Sequence, residues 1–182
     1  GGVALDSTIT GNAPTDPFGG GEEVNWSADG QTLFYTLRET GRMEPRSTDT
    51  DIYAAAADGS TLTNLTDVNQ ATDTMPTPSP DGRWLAYAAM ARPGYESDRL
   101  VLMLRDLSSG TTQAITNGWD RSVSSIAWAP DSSHMIVTAQ DTLDHPAFMV
   151  ALDGTVSRLT QRGSIGDTIP LADGSMLYTK NS

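Results

Sequence analysis

The sequence contains no cysteine. That excludes disulfides, thiolate metal ligands and a cysteine nucleophile, and leaves the compartment open. Long apolar runs are also missing. The two longest, WLAYAAMA (84–91) and LVLML (100–104), fall far short of the ~18–20 residues of a membrane helix. No basic segment followed by an apolar stretch opens the chain, so no signal peptide is visible. Basic residues are scarce: 11 Lys and Arg stand against 23 Asp and Glu, a net charge of −12. Nucleic acid is therefore not an expected partner, because phosphate recognition needs a basic face. Only two histidines exist, His134 and His145.

Motif absences narrow the chemistry further. No Gly-x-Ser-x-Gly elbow occurs, since GSIGD (163–167) sets its glycines at the wrong offsets from Ser164. His134 follows a turn at a strand start and His145 precedes Pro146 in a loop, so a Ser-His-Asp set cannot be assembled. Asp49-Thr50-Asp51 is a bare D-x-D without the other ligands of a calcium loop, and FGGGEE (18–23) puts acids where a phosphate would be repelled. No metal or cofactor is expected. Asn25-Trp26-Ser27 and Asn64-Leu65-Thr66 match the glycosylation sequon but fall in predicted strands.

What is present is a repeat. NWSADGQTLFYT (25–36), PTPSPDGRWLAYA (76–88), IAWAPDSSHMIVTA (126–139) and IPLADGSMLYT (169–179) align on Asp29, Asp81, Asp131 and Asp173, whose spacings are 52, 50 and 42 residues. A second block follows the first three: DIYAAAADGSTLTNLT (51–66), LVLMLRDLSSGTTQAIT (100–116) and AFMVALDGTVSRLT (147–160). Each closes on an aliphatic residue and a threonine: Leu65-Thr66, Ile115-Thr116, Leu159-Thr160. The opening VALD (3–6) is identical to VALD at 150–153, which predicts that the chain starts in the second half of a preceding unit.

Each unit reads as four short strands: an apolar lead-in, an Asp-Gly-type turn, an aromatic-rich strand, a variable loop, a third strand, a tight turn and a polar-alternating fourth strand. No 3.6-residue apolar period competes. Central strands apolar on both faces imply sheets covered on both sides, and a ~40–50-residue period fits β-propeller blades. A β-sandwich leaves the repeat unexplained. The expected fold is all-β, a β-propeller fragment of four-stranded antiparallel blades. Three blades are complete (19–70, 71–119, 120–163), with the end of another at 1–18 and the start of a fifth at 164–182. Its open ends would favour association, so a homo-oligomer is one expected partner.

Connectivity then divides the faces. Both tight turns of a unit lie on one face; the strand-two-to-three loops and the inter-unit loops lie on the other. The long loops are 38–50, 91–99 and 141–147 within units, and 17–23, 67–73, 117–122 and 161–167 between them. Loops on a rigid scaffold are where binding groups collect. Two clusters stand out on the same unit: Tyr95, Glu96, Asp98 and Arg99 in GYESDR, and Trp119, Asp120 and Arg121 in GWDRS. They read either as an Arg–carboxylate network ordering the loops, with Trp119 packing, or as a pocket for a cationic group and an apolar side chain.

SPDGRWLAYA with LRDLSSGTTQAIT resembles the propeller repeats of TolB-like proteins and of the prolyl oligopeptidase family. The longer run 79–132 is similar to the N-terminal propeller of dipeptidyl-peptidase V and acylaminoacyl-peptidase-type serine peptidases. The resemblance covers most of 24–180, and its discriminating part is 91–122. It implies a parent in which this propeller caps an α/β-hydrolase domain, gates access and helps bind the N-terminal end of small peptides. The catalytic triad would then lie outside this chain, which hydrolyses nothing alone. By analogy with relatives whose propeller glutamates anchor the substrate ammonium, Glu96 takes that role, with Tyr95, Trp119, Asp120 and Arg121 lining the site; Glu22-Glu23 is a rival. The resemblance also points to a periplasmic or secreted setting, with a cytoplasmic one open. The competing reading is a TolB-like protein-interaction scaffold.

Overall fold

A computed structural model describes residues 9–17, 19–39 and 47–181. The VALD at 3–6 and residues 40–46 of the first long loop lie outside the described residues.

Fifteen strands and one 3-10 turn (Gly21–Glu23) make up the described chain. β1 (Gly11–Asn12), β2 (Val24–Trp26), β3 (Thr32–Glu39), β4 (Asp51–Ala56) and β5 (Leu62–Asn64) form the first sheet. β6 (Asp73–Pro78), β7 (Trp84–Ala89), β8 (Val101–Asp106) and β9 (Thr112–Ala114) form the second. β10 (Val123–Trp128), β11 (His134–Ala139), β12 (Ala147–Ala151) and β13 (Val156–Arg158) form the third, and β14 (Ser164–Pro170) pairs with β15 (Met176–Asn181). All ladders are antiparallel between sequence neighbours, save that β1 adds to the far end of β3 (Gly11 opposite Glu39). The β1 addition has no counterpart in the repeat. The all-β, bladed architecture expected from the repeat is the one present.

Side-chain alternation along β7 shows why both sheet faces are apolar. Leu85, Tyr87 and Ala89 pack with Phe34 and Ile52 of the first sheet, whereas Ala86 packs with Val123, Trp128, Met135 and Val137 of the third. A middle sheet is thus buried twice, as stacked blades require.

The repeated residues hold repeated hydrogen bonds. Asp29, Asp81, Asp131 and Asp173 each accept the amide two residues on, at 3.0, 3.0, 3.0 and 2.9 Å. Each also takes a nearby serine hydroxyl, which holds these carboxyls below their usual range. Gly30, Gly82 and Gly174 follow at φ +68, +72 and +82°, the left-handed region glycine enters freely. The third repeat puts Ser132 there, at φ +60°. The closing threonines also have one job. Thr66, Thr116 and Thr160 accept the amides of Ile52, Leu102 and Ala147 at 2.9, 2.8 and 3.0 Å, tying strand four's exit to strand three's entry.

Candidate functional site on the loop face

Successive sheets are stitched on the loop face by one repeated bond. A carbonyl one or two residues before strand three accepts an amide from the first strand of the next sheet: Asp73 N–H to Thr50 O (2.9 Å), Val123 N–H to Leu100 O (3.0 Å) and Ile165 N–H to His145 O (2.8 Å). His145 therefore occupies a structural position. The other histidine, His134, opens β11 and meets the Ser133 hydroxyl at 2.9 Å. The sequon amides are engaged too: Asn25 Nδ2 donates to Pro76 O (2.9 Å), and Asn64 Nδ2 to Asp51 (2.8 Å).

The 91–99 loop is built around Asp98. Its Oδ1 accepts from Arg92 Nη2 at 2.9 Å and Nε at 3.1 Å, while Oδ2 accepts the amides of Arg92 and Ala91 at 2.9 and 3.0 Å. The Arg92 contact, followed by those amides, holds the Asp98 carboxyl down at about 2. Arg92 also lies 4.0 Å over the Tyr95 ring, and Gly94 N–H reaches Thr48 Oγ1 of the preceding loop at 2.9 Å. The clamp leaves Glu96 exposed at the tip beside the half-exposed Tyr95.

Arg99 joins this loop to 117–122, donating to the carbonyls of Thr116, Asn117 and Trp119. Trp119 is half-buried, edge-on to Phe148 at 4.8 Å, and packs on the core between the second and third sheets. Arg121 is held by Asp141 Oδ1 (2.8 Å) and by Asp120, whose own side chain is fully exposed. Asp141 takes a second guanidinium on Oδ2, from Arg158 at 2.6 Å. The five predicted site residues thus divide. Glu96, Tyr95 and Asp120 face solvent, Trp119 packs, and Arg121 cross-links loops.

Two acidic features are buried in a way the sequence does not reveal. Glu23, buried at the start of the first sheet, accepts Thr15 N–H (2.7 Å) and Thr15 Oγ1 (2.8 Å). A Cβ on Gly19 would fall 2.3 Å from its Oε2, so that loop is cut to fit the carboxylate. Of the rival pair, only Glu22 is exposed. Between the first and second sheets lie Asp49, Asp51 and Asp73. Burial, with Asp51 and Glu39 adding repulsion, pushes Asp49 up to about 6, and burial pushes Asp73 up to about 7. Asp51 is raised for the same first reason. Among the described residues no three acidic or histidine side chains are grouped to hold a metal, and no helix is long and apolar enough to cross a membrane.

No protein-family model matches the chain. It is 34% identical over 151 residues to dipeptidyl-peptidase 5 of Porphyromonas gingivalis, covering 82% of this chain and 22% of that protein. A probable dipeptidyl-peptidase 5 of Emericella nidulans is 30% identical over 182 residues, covering 93% and 25%. The chain thus spans about a quarter of the length of these relatives. Among solved structures, a puromycin-hydrolysing peptidase of Mycobacterium tuberculosis superposes with a TM-score of 0.67 at 18% identity, over 86% of this chain and 27% of that one. A TolB protein of Agrobacterium tumefaciens gives a TM-score of 0.62 at 18% identity, over 85% and 68%. In sequence the chain is similar to dipeptidyl-peptidase 5 proteins over 82% and 93% of its length, and in fold it is a β-propeller portion like that of the TolB structure.

Proposed function

We propose that these blades are the non-catalytic propeller portion of a serine dipeptidyl peptidase, gating access to an α/β-hydrolase domain of the same parent and helping to hold the N-terminal end of small peptides. The observation that carries the reading is the 34% identity to a dipeptidyl-peptidase over 82% of the chain, a stretch with one loop-bearing face. On that face Glu96 is the anchor for the substrate α-ammonium. Its loop is ordered by the Asp98 clamp from below, so the carboxylate is displayed on a rigid tip, and none of the ion pairs among the described residues involves it. Tyr95 and the exposed Asp120 flank the approach, with Trp119 and Arg121 fixing the adjoining loop. The same proposal sets the parent in the periplasm or outside the cell.

The test is made in the propeller joined to its hydrolase domain. Glu96→Gln should lower kcat/KM for substrates with a free N-terminus by the equivalent of ~2–4 kcal/mol, chiefly through KM. N-acylated substrates should be unaffected. A change under about twofold on the free-amine substrates removes Glu96 from the role. If the parent has no nucleophile-elbow domain, the TolB-like scaffold reading replaces this one; its support is the 68% of the TolB chain that the blades cover.

A further inference from the structure

The cleft between the first and second sheets has a volume of about 440 Å³. That is within the ~300–1,000 Å³ of small-molecule sites. Its floor is one face of the second sheet, and the ladder fixes which residues share it. Asp73 pairs with Ala89 and Ala89 with Val101; Tyr87 pairs with Met103 and Met103 with Ala114. Leu65 and Val68 form the opposite wall. The lining is thus mostly apolar, with one carboxylate at the inner end.

That carboxylate is incompletely satisfied. Asp73 is 1% exposed, its Oδ1 accepts Asn69 Nδ2 at 3.1 Å, and its Oδ2 has no hydrogen-bond partner. The nearby Thr66 hydroxyl lowers the Asp73 carboxyl but directs its single proton to Asp51 at 3.0 Å. None of the ion pairs among the described residues involves Asp73. Arg105, on the same floor, donates instead to Thr112 Oγ1 at 3.3 Å. The other charged neighbours are acidic: Asp51 on β4 and Asp49 before it. Tyr87, on β7, is a phenol pushed up to about 12 by burial and then by Asp73. An unpaired buried acceptor in an acidic field calls for a cation that brings donors.

We propose that this inter-sheet cleft binds a small primary ammonium compound with an apolar body, its ammonium on Asp73 Oδ2 and its hydrocarbon against Val101, Met103 and Ala114. The site is separate from the loop-tip anchor at Glu96 and does not depend on that assignment. The ammonium supplies three donors to the free carboxylate oxygen, and the apolar wall takes the body out of water.

The test uses phenethylammonium and its neutral counterpart phenethyl alcohol, titrated into the full chain at pH 8 by calorimetry and by amide chemical shifts. The ammonium should bind once per chain and at least about tenfold more tightly than the alcohol, with shifts centred on Val101, Met103 and Ala114. Asp73→Asn keeps the shape, removes the charge and should erase the difference between the two probes. Val68→Trp, at a mouth residue that is 91% exposed, should weaken both. Equal affinity for the two probes overturns the proposal. So does ammonium binding unchanged by Asp73→Asn, shifts spread over the outer acidic surface, or saturable binding of neither probe. If Asp73→Asn does not fold, Val68→Trp decides: retained ammonium binding overturns the site.

Discussion

The backbone amide of Asp81 donates to the hydroxyl of Ser132 at 3.0 Å, joining the tight turns of the second and third sheets. The two residues are 51 apart, as are Asn25 and Pro76, and Trp128 and Thr77, which make the other side-chain bonds between neighbouring first strands. The inter-sheet hydrogen bonds thus span within one residue of the 52- and 50-residue spacings of the repeat. Positions one residue from equivalence touch because consecutive sheets stack with nearly the same register.

Ser132 is the position where the third repeat departs from glycine, and it holds φ +60° while only 6% exposed. Left-handed backbone costs a side-chain-bearing residue ~1 kcal/mol, and a hydrogen bond returns about as much. Ser132→Gly also frees the Asp81 amide but relieves the backbone, so it should cost ~1 kcal/mol less than the alanine variant. Ser132→Ala keeps the strained backbone and leaves the Asp81 amide unpaired, so it should cost ~1–3 kcal/mol. Urea unfolding of both variants checks the pair; an alanine variant as stable as the parent would remove the hydrogen bond from the argument.

Asp98 and Arg92 give the opposite kind of expectation. The pair sits on an exposed loop, with the Arg92 side chain 61% accessible. Exposed ion pairs contribute ~0–1 kcal/mol, so Asp98→Ala should barely move global stability. Locally it releases the amides of Ala91 and Arg92. Hydrogen exchange at those two amides should accelerate by more than about tenfold while strand amides such as Leu102 keep their protection. Uniform acceleration would show instead that the clamp supports the whole sheet.

The repeat made the architecture legible because three local signals agreed: the Asp-led turn, the strand apolar on both faces, and the closing threonine. Each has a local physical cause visible in the structure, in the Asp81 turn, the double-sided packing of β7 and the Thr116 bond to Leu102. The loop face was legible for the same reason, since chain direction alone assigns it. Asp73 was not legible, and Glu23 was legible only as half of a rival anchor pair, not as a buried group. Both stand in segments that read as ordinary polar connections, DVNQATD and GGGEE. Their burial arises only when a neighbouring sheet, or Thr15 and Gly19, close over them, a contact with no sequence period. Trp119 was legible as a packing residue but its partner was not, because Phe148 comes from the next sheet.

Asp73 also sets a pH dependence with a definite sign. Its ordinary value of 3.8 is raised to about 7 in the folded chain, chiefly by burial. Between those two values the folded state holds a proton that the unfolded state has released. Unfolding therefore releases a proton in this window, and stability falls as pH rises through it. At ~1.36 kcal/mol per pH unit, the full shift corresponds to about 4 kcal/mol. Asp49, raised to about 6, acts in the same direction. Asp98, held at about 2, acts in the opposite direction and only below the ordinary carboxylate value. Thermal unfolding should accordingly show maximal stability in mildly acid solution, near pH 4–5, and a decline toward pH 8. Asp73→Asn carries no titrating proton and should flatten most of that decline while leaving the loss below pH 4 in place. A parent protein whose stability rises between pH 5 and 8 would show that Asp73 is charged at little cost, and that the cleft around it is wet.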